Sequence, residues 1–260
     1  ALDLIPAYTV DLASGDPEAK REEIRTYFHA TMDVEDRLYE TLANDEAFYL
    51  RADPLRHPII FYLGHTATFY VNKLVLARIL GERINPGFES VFAIGVDEMS
   101  WDDLDESHYD WPAVRDVKAY RARVREVVDE VIRTLPITMP IGWNSPMWAV
   151  MMGIEHQRIH LETSSVLIRQ LPLDSVRPDP FWKACDESGE APANELRAVP
   201  GGRGVLGKAY DDRFYGWDNE YGRLEQEVSP FRASRYLVSN AEFKEFVEAG
   251  GYRESSHWDE

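Results

Sequence analysis

Apolar residues recur at helical spacing in four long stretches of the first two thirds of the chain, and capping residues mark where those stretches begin and end. The first opens at Asp16-Pro17, an N-cap followed by proline, with Glu18, Glu22 and Glu23 near the positive end of the helix dipole. Its apolar positions Ile24, Phe28, Leu38 and Leu42 carry it to about residue 43. The second runs from Pro58 to about Leu80, stops at Gly81, and is apolar nearly all round, which predicts the most buried helix. The third starts at Pro112 or Asp116 and ends at Leu135, with Val117, Tyr120, Val124, Val127 and Val131 on one stripe. The fourth begins at Ser145-Pro146, a second cap-plus-proline start, and ends before Pro172. Four helices of roughly twenty residues predict a mainly α, four-helix-bundle domain over residues 1–171. The connection 81–111 is long enough to cross the bundle or cover one end of it, and within it "GVDEMSWDDLDESHYDWP" reads as a lid or as a solvated acidic surface.

After Pro172 the pattern changes. Residues 172–198 are rich in Pro, Asp and Glu and read as a connector. From Val199 to residue 260 the pattern is short and turn-rich, with one helix at "SNAEFKEFVEAGG" capped by Ser239 or Asn240 and stopped at Gly250-Gly251. About sixty residues are marginal for a core of their own. "GGRGVLG" contains a formal G-x-G-x-x-G, but the "KAYDDRFYGWD" that follows has no helical stripe, so a dinucleotide site is not expected there.

The chain has 260 residues, 44% of them hydrophobic, and a formal net charge of −18. So negative a surface repels phosphate backbones and anionic lipid, which argues against nucleic-acid or membrane-surface partners. No run of eighteen apolar residues occurs, and the first twenty residues lack the basic start and apolar run of a signal peptide. The single cysteine, Cys185, excludes an intrachain disulfide and has no histidine beside it to activate it. A cytoplasmic location is expected.

The chemistry concentrates in histidines. His156 and His160, four apart on the fourth helix, lie about 40° apart on one face and can converge on one ion. Glu162 points about 200° away from His160 around the helix, so it is excluded as a ligand and suits a supporting role, together with Glu155. A third ligand must come from another helix. His65, in "FYLGHTATFY", is costly to bury unpaired, and Gly64 beside it lets another group approach closely. Tyr62, Thr68, Phe69 and Asn72 share its face, with Asn72 placed to hydrogen-bond a ligand or substrate. Three histidines on one side of a metal leave positions open, an arrangement for catalysis rather than structure. A lone buried histidine is more often a hydrogen-bonded core residue; the three together carry the metal reading. His29, His57, His108 and His257 lack such spacing and read as surface or capping residues.

These residues also carry a resemblance. "RHPIIFYLGHTATFYVNKL" and "GIEHQRIHLETSSVLIRQLP" resemble the ovothiol synthase family, iron-dependent 5-histidylcysteine sulfoxide synthases whose N-terminal domain is a DinB-like four-helix bundle with a His-x3-His-x-Glu motif. "VPGGRGVLG", "FYGWDNEYG" and "PFRASRYLVSNAEFKEFVEAGGY" resemble the start of the α+β formylglycine-generating-enzyme-like domain that follows in that family. The resemblance implies Fe(II) on His65, His156 and His160, with L-cysteine, L-histidine and O2 as substrates, a C–S bond to the imidazole and an oxygenated sulfur as products. It also implies that the remainder of the second domain, with the family's proton donor, is needed to complete the active site. The related ergothioneine sulfoxide synthases, acting on trimethylhistidine, are an alternative. Their glutamine before the second motif histidine is Ile159 here, which favours the ovothiol branch. A zinc-dependent DinB-like thiol transferase is a further alternative.

Overall fold

A computed structural model describes residues 9–93, 110–182 and 189–258. The candidate lid "GVDEMSWDDLDESHYDWP" falls almost wholly outside the described residues, as do Cys185 and His108. The chain divides into two compact units, Ala1–Lys183 with Asp211–Gly216, and Ala184–Tyr210 with Trp217–Glu260. The segment read as a connector is therefore divided: Arg37 pairs with Asp179 at 3.1 Å and Val176 bridges Leu42, which places residues 172–182 on the helical unit.

The first unit is helical. Helix α1 spans Pro17–Tyr39, and its N-cap Asp16 accepts the Ala19 N–H at 2.9 Å. Helix α2 spans Ile59–Leu76. It ends before the expected stop at Gly81, because Arg78 takes a left-handed φ of 58° and the N–H groups of Ile79 and Leu80 both turn back to the Leu74 carbonyl. A short helix, α3 (Pro86–Val91), packs on α2 within the long connection. Helices α4 (Val114–Thr134) and α5 (Pro146–Ile168) complete the bundle. Ser145 stands at the N-cap of α5, but its hydroxyl accepts the Gly142 N–H at 3.0 Å instead of capping the helix.

Both α1 and α2 pack against α4 and α5, so α1 and α2 occupy opposite corners of the bundle. As its hydrophobicity requires, α2 is buried along nearly its whole length, from Ile59 to Leu74. Its seam with α5 is tight at Gly153, where an added Cβ would come within 2.3 Å of the Tyr70 ring. None of the described helices is long and apolar enough to cross a membrane.

The second unit is a small sheet region. Strands β1 (Leu196–Val199) and β4 (Phe231–Ser234) form one antiparallel pair, β2 (Gly202–Leu206) and β3 (Leu224–Val228) another, and helix α6 spans Asn240–Glu248. The expected cap of α6 is Ser239, in a capping box with Glu242, and Gly250 closes it with a φ of 82°. Most of the G-x-G-x-x-G pattern lies in β2, a strand of an antiparallel pair, without the strand–turn–helix that a dinucleotide requires.

Candidate metal centre

Histidines 65, 156 and 160 meet between α2 and α5, their candidate ligand atoms all within 4.8 Å of one another. His156 Nε2 lies 3.1 Å from His65 Nε2 and 3.1 Å from His160 Nε2. Those separations are what adjacent ligands show on a single ion with bonds of about 2.1 Å. His65 and His156 are buried and His160 is half-buried, so the cluster is reached from the His160 side.

The tautomer of His65 is fixed by its neighbour. Its Nδ1 lies 2.7 Å from the Phe92 carbonyl, which can only accept, so Nδ1 carries the proton and Nε2 offers a lone pair to the cluster. Phe92 reaches that position because its ring lies over Gly64, where an added Cβ would sit 2.4 Å from the ring. Sequence reasoning found the open space at Gly64 but not its occupant. Helix α3, which carries Phe92 at its end, is fastened in turn by Glu89. That buried carboxylate accepts the backbone N–H groups of Ile84 and Asn85 at 2.9 and 2.8 Å. We predict that Gly64→Ala displaces the Phe92 ring and lowers stability by about 1–3 kcal/mol in urea titrations. Loss of the hydrogen bond that orients His65 is expected to weaken metal binding by about 10–100-fold, read by competition with a chelator.

Aromatic rings from α2 lie against the other two histidines. Phe69 stacks on His156 with centroids 3.6 Å apart and planes 5° apart, and Tyr62 lies 5.7 Å from His160. Tyr62 is thus at the site, its phenol pushed up in pKa chiefly by burial. Asn72 is engaged within the protein: its Nδ2 donates to the Glu89 carbonyl at 3.2 Å and its Oδ1 accepts from Arg83 at 2.5 Å. Its work is to tie α3 to α2. Glu162 is exposed and outside the histidine cluster, while Glu155 accepts the Tyr27 hydroxyl at 2.9 Å. His57, read as a surface or capping residue, is 4% exposed, its ring 4.3 Å from that of Phe61, and Pro58 beside it starts α2.

The residues fit a divalent metal. The donor set is three imidazole nitrogens, and the buried Nδ1 of His156 has no hydrogen-bond partner. Burial, reinforced by the neighbouring His65, holds His160 down to a pKa of about 3, and burial with His160, His65 and Lys73 depresses His156 further. Neutral imidazoles at neutral pH are what a metal needs. In the metal-free protein the same depression sets a pH dependence. The unfolded chain takes up protons on these histidines below about pH 6.5 while the folded chain does not, so stability is lost as pH falls from there toward 3. Urea titrations of chelator-treated protein at pH 7.5 and 5 are expected to show this loss, up to about 1.4 kcal/mol per pH unit per histidine. His156→Gln should flatten the slope.

The DinB superfamily model matches residues 27–164, more than half of the chain. Ergothioneine biosynthesis protein 1 of Neurospora crassa is 26% identical over 211 residues, covering 74% of this chain and 24% of that protein. Hercynine oxygenase of Mycolicibacterium smegmatis is 28% identical over 223 residues, covering 83% of this chain and 48% of that protein. Ergothioneine biosynthesis protein 1 of Schizosaccharomyces pombe is 24% identical over 240 residues, covering 79% of this chain and 30% of that protein. The chain thus spans from 24% to 48% of the length of these curated relatives.

Proposed function

The chain belongs to the DinB superfamily, and from that premise we propose that it carries the metal centre of an iron(II)- and O2-dependent sulfoxide synthase joining the sulfur of L-cysteine to the imidazole of L-histidine. The observation that carries the proposal is the convergence of His65, His156 and His160, three donors that would hold an ion with positions left for substrates. Relatives named for ergothioneine biosynthesis and hercynine oxygenation support the reaction class. The small sheet region is read as the start of the formylglycine-generating-enzyme-like domain, whose remainder completes the active site and supplies the proton donor.

Iron(II) bound here would supply a redox-active centre with open positions for a thiolate and O2. The chain's own residues do the rest. His65 is held in one tautomer by Phe92, and Phe69 keeps the His156 ring from rotating. Phe61, stacked on His65 at 5.0 Å, and Phe69 line the cluster with apolar surface that excludes water from its buried side. The Tyr62 phenol is protonated at neutral pH, as phenols ordinarily are, and burial pushes its pKa further up, so it can donate a hydrogen bond there.

A second reading, action on trimethylhistidine, is favoured by the names of the relatives. Against it stands Ile159, 45% exposed, which offers no hydrogen bond to an imidazole. Incubating full-length protein with iron(II), O2, cysteine and either histidine or its trimethyl betaine separates the two. A sulfoxide formed only from the betaine would sink the histidine reading. Zinc as the resident metal, with thiol-transfer activity kept under anaerobic conditions, would sink both.

A further inference from the structure

A cavity of about 380 Å³ opens beside the histidine cluster on the helical unit. His160 and Tyr62 form one side of it, Leu55, Val166 and Leu167 supply apolar surface, and Arg56 and Asp53 supply its charges. Ligand pockets run from about 300 to 1,000 Å³, so this one suits a ligand of amino-acid size rather than a nucleotide or a folded peptide.

Acidic residues outnumber basic ones 46 to 28, and many of the arginines, Arg21, Arg25, Arg37, Arg83 and Arg121 among them, pair with a carboxylate. The Arg56 guanidinium donates to the Leu55 carbonyl at 3.3 Å and has no carboxylate within ion-pair distance among the described residues. It is nonetheless well placed. The Arg56 N–H closes a turn onto the Asp53 carbonyl at 3.1 Å, and the Asp53 side chain accepts the Leu55 N–H at 2.7 Å. That turn runs into Pro58, the N-cap of α2, so it is anchored to the helix that carries His65. Arg56 shares the cavity with Tyr62, whose ring lies 5.7 Å from that of His160. A cation without a carboxylate, a carboxylate in the same turn and a ligand histidine thus line one small cavity.

We propose that this cavity binds a free α-amino acid, its carboxylate on Arg56, its ammonium group facing Asp53, and its side chain directed toward the three-histidine cluster. A guanidinium matches a carboxylate in geometry and charge and can hold it through two parallel hydrogen bonds. That the acid is cysteine or histidine rests on the sulfoxide-synthase reading; the carboxylate site itself rests on the cavity.

The test is calorimetric titration of full-length, iron(II)-loaded protein under anaerobic conditions with L-cysteine, L-histidine, and their decarboxylated counterparts cysteamine and histamine. Arg56→Gln is expected to weaken one of the two amino acids by about tenfold or more while leaving its amine counterpart unchanged. Arg56→Lys should recover part of the loss. Arg56 is exposed on a turn, so metal content and fold should match the unsubstituted protein. The proposal fails if neither amino acid binds, if Arg56→Gln leaves both affinities within twofold, or if acid and amine weaken alike. Amino-acid binding lost with Arg56, in a protein that forms no sulfoxide, would refute the sulfoxide-synthase reading and leave the carboxylate site standing. Sulfoxide formation with unaltered Kd and KM in Arg56→Gln would do the reverse.

Discussion

His160→Ala is expected to strip the protein of iron, whereas Glu162→Ala, two residues away in the same motif, is expected to keep it. Three imidazoles converge on one point, and no carboxylate joins them among the described residues, so removing one leaves two neutral donors. Loss of a directly bound ligand should cost on the order of 100-fold or more in metal affinity, beyond the 10–100-fold typical of residues that only orient ligands. His160 is also the half-buried member of the cluster, so alanine there opens the site to water without leaving a large hole in the core. Folding should survive, and circular dichroism should show a helix content like that of the unsubstituted protein. Glu162 is exposed and stands outside the cluster, and its removal takes away a solvated charge. Iron content after gel filtration, and competition with a chelator, give the comparison directly. Equal loss from both substitutions would show that the helix departs from regular geometry at Glu162 and that the carboxylate reaches the ion.

Why Glu162 could be excluded from sequence, while other features of the site could not be seen, is a matter of range. Ligand geometry within α5 follows from the helical repeat, so His156, His160 and the outward Glu162 were legible from spacing alone. His65 was legible because a histidine in an apolar helix needs a partner, and the structure places its Nε2 3.1 Å from that of His156. Phe92 was not legible. Its contribution is a backbone carbonyl, which carries no residue signature, and it arrives from a helix six residues long in a connection where periodicity says little. Gly64 was the available sign, since a glycine inside a buried helix implies a close approach. The bonds that Asn72 makes to α3 were not legible either, because a polar residue on that face suits a substrate contact and a structural clasp equally well. His57 misled because isolation in sequence was taken for exposure. The end of α2 was misjudged because a left-handed Arg78 stops the helix where a glycine was expected further on.

The second large effect lies behind the site rather than in it. Arg121→Met is expected to destabilise the protein by about 3–5 kcal/mol, because it leaves the buried Glu35 carboxylate without its cation. Glu35 is 0% exposed and Arg121 3%. Arg121 donates to Glu35 at 2.9 Å, to Asp36 at 2.8 Å, to Thr66 at 2.7 Å and to the Leu63 carbonyl at 2.9 Å. Glu35 accepts Gln157 at 2.6 Å as well, and Tyr70 donates to the Gln157 carbonyl oxygen at 2.9 Å. Thr66 and Gln157 are the residues next to His65 and His156, so one buried ion pair from α1 and α4 grips both helices that carry the histidine cluster. Burial works against the charge on Arg121, and Glu35 and Asp36 more than restore it; burial pushes Glu35 up. With its folded pKa above that of the unfolded chain, Glu35 contributes stability at low pH that is lost as pH rises, and without Arg121 this trend should steepen. The variant should therefore unfold at a lower urea concentration at pH 8 than at pH 5.5. Adding Glu35→Gln to Arg121→Met should recover part of the loss, since it removes the buried charge. Metal affinity separates a grip on the ligands from stability alone. At urea concentrations where both proteins are fully folded, Arg121→Met should bind iron about tenfold or more weakly, as substitutions that disturb ligand orientation do. Unchanged affinity in the folded variant would reduce the network to a stabilising role.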